Sequence, residues 1–168
     1  IRDALAYLRV IVQPNDSLAF ERIINTPRRG IGNSTLQTLH AYARINLIPL
    51  IEATRILLET DELRGQSKTA LRALLLDFDR WRSMMVKVPP KELTGIILDE
   101  SGYTAMWLED KSPDAPGRHE NLKEFAAAVG EFESITLFLE HVSLIMENSV
   151  SAQGDMVSLM TLHAAKGL

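Results

Sequence analysis

The chain has 168 residues, 46% of them hydrophobic, with a mean hydropathy of −0.01 and no cysteine. That length suits one sizeable core, while the missing cysteine excludes a disulfide framework and a thiolate metal site and fits a reducing compartment. The formal net charge of −4 excludes a uniformly basic nucleic-acid coat, and no apolar run reaches the length of a membrane span. The charge is uneven along the chain. Residues 1–48 hold six basic against three acidic side chains, residues 49–98 eight against seven, and residues 99–148 three against eleven. A polyanion would meet the first third, with the acidic third facing away. There is no basic-then-apolar leader pattern, and the chain starts at Ile1 without a methionine. We therefore expect a piece of a longer protein.

In chain order the pattern is helical. Residues 1–12 place Leu5, Leu8 and Val12 on one stripe, with Ala4 and Ile11 beside it. Pro14 ends that helix, and Asn15 or Asp16 can cap the next, which carries Leu18, Phe20, Ile23 and Ile24 and stops at Pro27. A third helix opens at Ser34 to Gln37, an S-x-x-Q capping box, and continues through Leu36, Leu39, Ala43 and Leu47. Pro49 starts a short helix through Leu58, and Gly65-Gln66-Ser67 reads as a break. The longest pattern follows to Lys87, with Leu71, Leu74, Leu75, Phe78 and Met85 on one face. After Pro89-Pro90 a helix spans Lys91 to Glu100, with Ser101-Gly102 as its stop. Glu109 to Gly117 holds two prolines and one glycine in nine residues and reads as a loop. Helices near 118–132 and 134–148 follow, the second with Ile135, Phe138, Leu139, Val142, Ile145 and Met146 on one face. A polar break at 149–155 precedes Met156 to Leu162, whose alternation predicts a strand. A lone strand needs partners. The expectation is an all-α domain over residues 1–155 and, over 156–168, the entry to a neighbouring α/β domain.

One stretch invites a chemical reading. Asn25 to Thr35, NTPRRGIGNST, sets two arginines before two glycines that flank a single isoleucine, ahead of a helix start. Glycine lets backbone pass close to a ligand and adopt positive φ. The unpaired N–H groups and dipole of a helix N-terminus favour an anion, and Arg28 and Arg29 add full charges suited to phosphate oxygens. Contacts of this kind grip backbone without reading base sequence, and they weaken with salt. From spacing alone, a plain connector with solvated arginines and a phosphate grip both stay open, because a lone G-x-G is a weak signal.

Three ordered stretches carry a resemblance. Ile1 to Leu36 resembles the start of the 2B subdomain of UvrD/PcrA/Rep-type superfamily-one DNA helicases. GRHENLKEF, Gly117 to Phe125, resembles the R-x-E-N-L-x-E segment later in that subdomain, and VSLMTLHAAKGL, Val157 to Leu168, is similar to helicase motif V. The resemblance implies a helical insertion in the second RecA-like domain, whose G-I-G turn contacts duplex ahead of a single-strand/double-strand junction. Carried onto this chain, that contact falls on Thr26, Arg28, Arg29, Gly30, Ile31, Gly32, Asn33, Ser34 and Thr35, with Ile31 as a packed pin. Motif V implies that Thr161, His163, Lys166 and Gly167 lie near single-stranded DNA and couple it to the nucleotide site. The implied parent is a 3′-to-5′ DNA helicase of the bacterial cytoplasm and nucleoid that uses ATP and Mg²⁺. Its partners would be DNA that is not read by sequence, RecA-like domains 1A and 2A, subdomain 1B, and repair or replication accessory proteins.

The chain also departs from a complete helicase. It has no G-x-x-x-x-G-K-(S or T) loop, no acidic Mg²⁺ motif and no motif VI, and in AAKGL the glycine follows the lysine. We expect no catalytic residue, no cofactor and no metal site in this stretch itself. His40, His119, His141 and His163 lack ligand spacing. Asp77 and Asp79 lie at i, i+2 and face apart, and Trp81 and Trp107 are read as packing. Two other function classes stand beside the duplex grip. One is a regulatory protein-interaction domain acting through the acidic third, and the other a 2B-like module of a RecB/AddA-type helicase–nuclease.

Overall fold

A computed structural model describes residues 1–154, with side chains through Asn148. Among the described residues nine helices follow one another: α1 (Arg2–Val12), α2 (Ser17–Ile23), α3 (Asn33–Asn46), α4 (Leu50–Leu58), α5 (Gly65–Met84), α6 (Pro90–Glu100), α7 (Tyr103–Glu109), α8 (Ala115–Val129) and α9 (Ile135–Gly154). The all-α expectation holds. The strand expected at Met156–Leu162 lies outside the described residues, as do Thr161, His163, Lys166 and Gly167.

α1 is the axial element, packing against α2, α5, α6 and α9. Its sequence pattern suggested a single apolar stripe, yet Ala4, Ala6, Tyr7, Leu8, Val10 and Ile11 are all buried. A helix hemmed in on several sides buries most of its circumference. Around it Tyr7, Phe78 and Trp81 form a ring cluster, with Phe78 and Trp81 edge to face at 5.4 Å. Trp81 is fully buried, and its indole Nε1 donates to Glu100 Oε2 at 2.6 Å. Trp107 is half-buried beneath Arg118, whose guanidinium lies 4.6 Å from the ring centroid.

Several boundaries differ from the expected ones, each for a local reason. Gly102, read as a stop, sits at φ 80 and serves at once as the residue from which α7 departs. The loop expected at Glu109–Gly117 closes early, because α8 begins at Ala115 with Pro116 and Gly117 in its first turn. Proline is tolerated there, since the N–H it lacks would have no intrahelical partner. α8 then ends at Gly130, where an added Cβ would stand 2.8 Å from Lys91 Cβ. The break expected from Ser149 is absent over the described residues, for α9 runs on through Gly154. α3 starts at Asn33 with Gly32 as its N-cap, so the capping box expected from Ser34 to Gln37 is not in register.

Candidate nucleic-acid interface

α2 ends at Ile23, and the chain reaches α3 through a connection that folds back against α1, α5 and the α6–α7 corner. Asn25 braces it from inside. Asn25 Oδ1 accepts from Arg29 N at 2.7 Å and from Ile31 N at 3.4 Å, while its Nδ2 donates to Ile31 O at 2.9 Å. An asparagine that bonds its own turn backbone is a common turn-former. Thr26 presents its carbonyl inward, where Tyr7 Oη donates to it at 2.6 Å. Gly30 takes φ 74, a left-handed conformation that glycine adopts without strain. Its carbonyl accepts from Ser67 Oγ of α5 at 2.9 Å, and a Cβ there would meet Gln66 at 3.4 Å. Ile31 is 2% exposed and belongs to the buried core cluster.

The two arginines point in opposite directions. Arg28 is exposed. Arg29 turns inward: Nη1 donates to Ile23 O at 2.8 Å, Pro27 O at 3.3 Å and Ile24 O at 3.4 Å, and Nη2 donates to Tyr7 Oη at 2.6 Å and Ser101 O at 3.1 Å. Burial pushes the Tyr7 hydroxyl pKa up, against a smaller lowering by Arg29, so Tyr7 stays a neutral donor toward Thr26.

Beyond the turn, Gly32 is extended at φ −84 and ψ 170 and offers no side chain to cap α3. Asn33 and Ser34 are exposed and Thr35 is half-buried. The start of α3 therefore faces outward without a side-chain cap, shortly after the exposed Arg28 in the chain. Arg28, Gly30, Gly32, Asn33 and Ser34 are each exposed along this connection and the first turn of α3, whereas Thr26, Arg29 and Ile31 bond or pack inward.

Several other side chains singled out in the sequence pair or pack elsewhere. Asp79 pairs with Arg55 and Arg82, and Asp77 with Arg80. His40 lies 3.3 Å from Glu21, and His141 packs against the Phe132 ring at 5.2 Å. Among the described residues, no group of three or more His, Asp or Glu side chains is close enough to hold a metal ion. No described helix is long and apolar enough to cross a membrane.

The profile of the UvrD-like helicase C-terminal domain matches residues 1–168. The chain belongs to this helicase family. It is 44% identical over 170 residues to DNA helicase II of Rickettsia typhi, a match that covers 100% of this chain and 26% of that protein. It is 35% identical over 178 residues to DNA helicase II of Escherichia coli K12, covering 100% of this chain and 25% of that one. With the ATP-dependent DNA helicase PcrA of Bacillus subtilis it shares 35% identity over 188 residues, covering 100% of this chain and 24% of the relative. The chain thus spans about a quarter of the length of these helicases.

Sequence reasoning placed Thr26, Arg28, Arg29, Gly30, Ile31, Gly32, Asn33, Ser34 and Thr35 in one contact surface, whereas Thr26, Arg29 and Ile31 bond or pack inward, and it did not single out the braces Asn25, Tyr7 and Ser101. Asn25 stood inside the quoted stretch and was legible as a turn-former. Tyr7 and Ser101 lie 22 and 72 residues from Arg29, and no spacing signal connects them.

Proposed function

We propose that residues 1–155 form a 2B-type subdomain of an ATP-dependent DNA helicase, and that the turn from Thr26 to Thr35 contacts the backbone of duplex DNA beside a single-strand/double-strand junction. Residues 156–168 begin the adjoining RecA-like domain, where Thr161, His163, Lys166 and Gly167 meet single-stranded DNA and couple it to the nucleotide site. The whole protein works 3′ to 5′ in the bacterial cytoplasm. ATP and Mg²⁺ are held elsewhere in it, and this chain contributes the duplex contact.

One observation carries the reading. Arg28 is exposed four residues ahead of Gly32, the N-cap of α3, and that helix start lacks a side-chain cap. Free N–H groups at a helix start together with a guanidinium suit a phosphate diester. The same surface lies in the basic third of the chain, where residues 1–48 carry six basic against three acidic side chains. Contacts of this type hold position on DNA without reading sequence.

The test is fluorescence anisotropy of a labelled junction DNA, titrated at several salt concentrations. Arg28→Ala is expected to weaken binding and to flatten the slope of log affinity against log salt by about 1 unit. Unchanged affinity and slope in Arg28→Ala would sink the reading. Attention would then pass to the acidic helices α6–α9 as a protein-contact surface.

A further inference from the structure

We propose that Arg29 is a positioning residue and not a DNA ligand: its guanidinium ties the C-terminal ends of α2 and α6 to the buried Tyr7, and so fixes how the turn presents Arg28 and α3. This rests on the duplex-contact reading above for its functional meaning and on the local geometry for its structural content.

Both terminal nitrogens of Arg29 are engaged. Nη1 donates to Ile23 O, Ile24 O and Pro27 O, and Nη2 to Tyr7 Oη and Ser101 O. Ile24 is the C-cap of α2 and Ser101 the C-cap of α6. The last carbonyls of a helix lack intrahelical donors and carry the negative end of the helix dipole, so a cation is favoured there. Among the described residues no ion pair includes Arg29, and the two helix ends supply its counter-charge. A guanidinium in this position cannot chelate a phosphate without giving up acceptors; Ile23 O would keep Thr26 N at 3.1 Å, but part-buried carbonyls such as those of Ile24 and Ser101 would lose the Arg29 donor at a cost.

Two contacts show that the tie reaches the turn itself. Tyr7 is fully buried, and its one hydroxyl accepts from Arg29 and donates to Thr26 O. The α6–α7 corner abuts the same place, for a Cβ on Gly102 would lie 3.7 Å from Pro27 Cγ. Arg29 thus closes a loop of bonds through α1, the turn and the α6–α7 corner. A lysine would keep the charge but not the planar fork that reaches Tyr7, Ser101 and Ile23 together.

The experiment compares Arg29→Lys, Arg29→Gln and Tyr7→Phe with Arg28→Ala in the full chain. Two readouts are used: the salt dependence of junction-DNA binding, and amide hydrogen exchange at Arg29 and Ile31. Arg29→Lys and Tyr7→Phe are expected to weaken binding roughly tenfold at every salt concentration with the slope unchanged, and to speed exchange at those two amides by a similar factor. Tyr7 is buried and cannot touch DNA, so an effect of Tyr7→Phe on binding reports positioning. A slope flattened by about 1 unit in Arg29→Gln, as in Arg28→Ala, would overturn the proposal by making Arg29 a phosphate ligand. Wild-type exchange and affinity in Arg29→Lys would overturn it as well. If the unaltered chain bound no DNA, the duplex reading would fall, and faster or unchanged exchange in Arg29→Lys would still decide whether the tie exists.

Discussion

Tyr103 packs under α1, where its hydroxyl donates to Asp3 Oδ2 at 3.0 Å and its ring meets Trp107 edge on at 6.2 Å. Burial pushes its pKa up to about 12 from the ordinary 10.0. The folded state therefore favours the neutral phenol. That stability is complete below the unfolded pKa of 10.0 and is lost as pH rises through about 12. Tyr103→Phe is expected to cost about 1 kcal/mol at neutral pH through the lost hydrogen bond. It should also soften the fall in stability between those two pH values, as measured by urea melts across an alkaline series. An equal alkaline fall in the variant would assign the effect to other groups. At this scale the sequence was informative about residue type and silent about direction. Trp81 and Ile31 were expected to pack, and they do, because large apolar side chains have few alternatives. Arg28 and Arg29 are chemically identical neighbours, and only the positions of Tyr7, Ser101 and the end of α2 tell them apart.

The start of α3 makes a prediction at the scale of one element. Gly32 already has the extended backbone of an N-cap, and nothing lies within 4 Å of the Cβ it lacks. Gly32→Asp is expected to stabilise the chain by about 0.5 to 1 kcal/mol, since the new carboxylate caps α3 and favours its dipole. The same carboxylate should occupy the N–H groups proposed for phosphate and repel DNA, so the melting temperature rises while junction-DNA affinity falls. A variant that gained stability and kept its affinity would show that the helix start takes no part in binding. Helix positions were legible because apolar spacing and proline are strong signals, and α1, α4 and α6 begin within a residue of expectation. Ends were less so. Gly102 signals a stop and a start equally well, so α7 went unseen. Pro116 was read as loop although the first turn of α8 accommodates it.

On the scale of the whole molecule, α1 touches α2 and α5 as well as α6 and α9. Leu8 and Ile11 belong to one buried cluster that extends from Phe20 of α2 to Val129 of α8 and Phe138 of α9. Leu8→Ala is expected to cost about 3 to 5 kcal/mol, a large share of what a domain of this size holds in reserve. Tryptophan fluorescence and helical circular dichroism should shift together in denaturant, since one core unfolds as one unit. Separate transitions for the two signals would mean that the α6–α9 portion melts apart from the rest. Fold class was legible from the sequence because helical periodicity recurs from end to end. The axial place of α1 was not, because its side chains read as a single stripe.

The opposed arginines have a consequence for how this surface can vary. A charge seated between two helix ends adds little to the field that an approaching polyanion meets, so the outward pull of the turn is set largely by residue 28. That side chain is exposed. On the duplex-contact reading proposed above, exchanging it for lysine, threonine or glutamine is expected to grade how firmly duplex is held. Residue 29 allows no such gradation. The chain therefore separates a dial from the bearing on which it turns, one peptide bond apart.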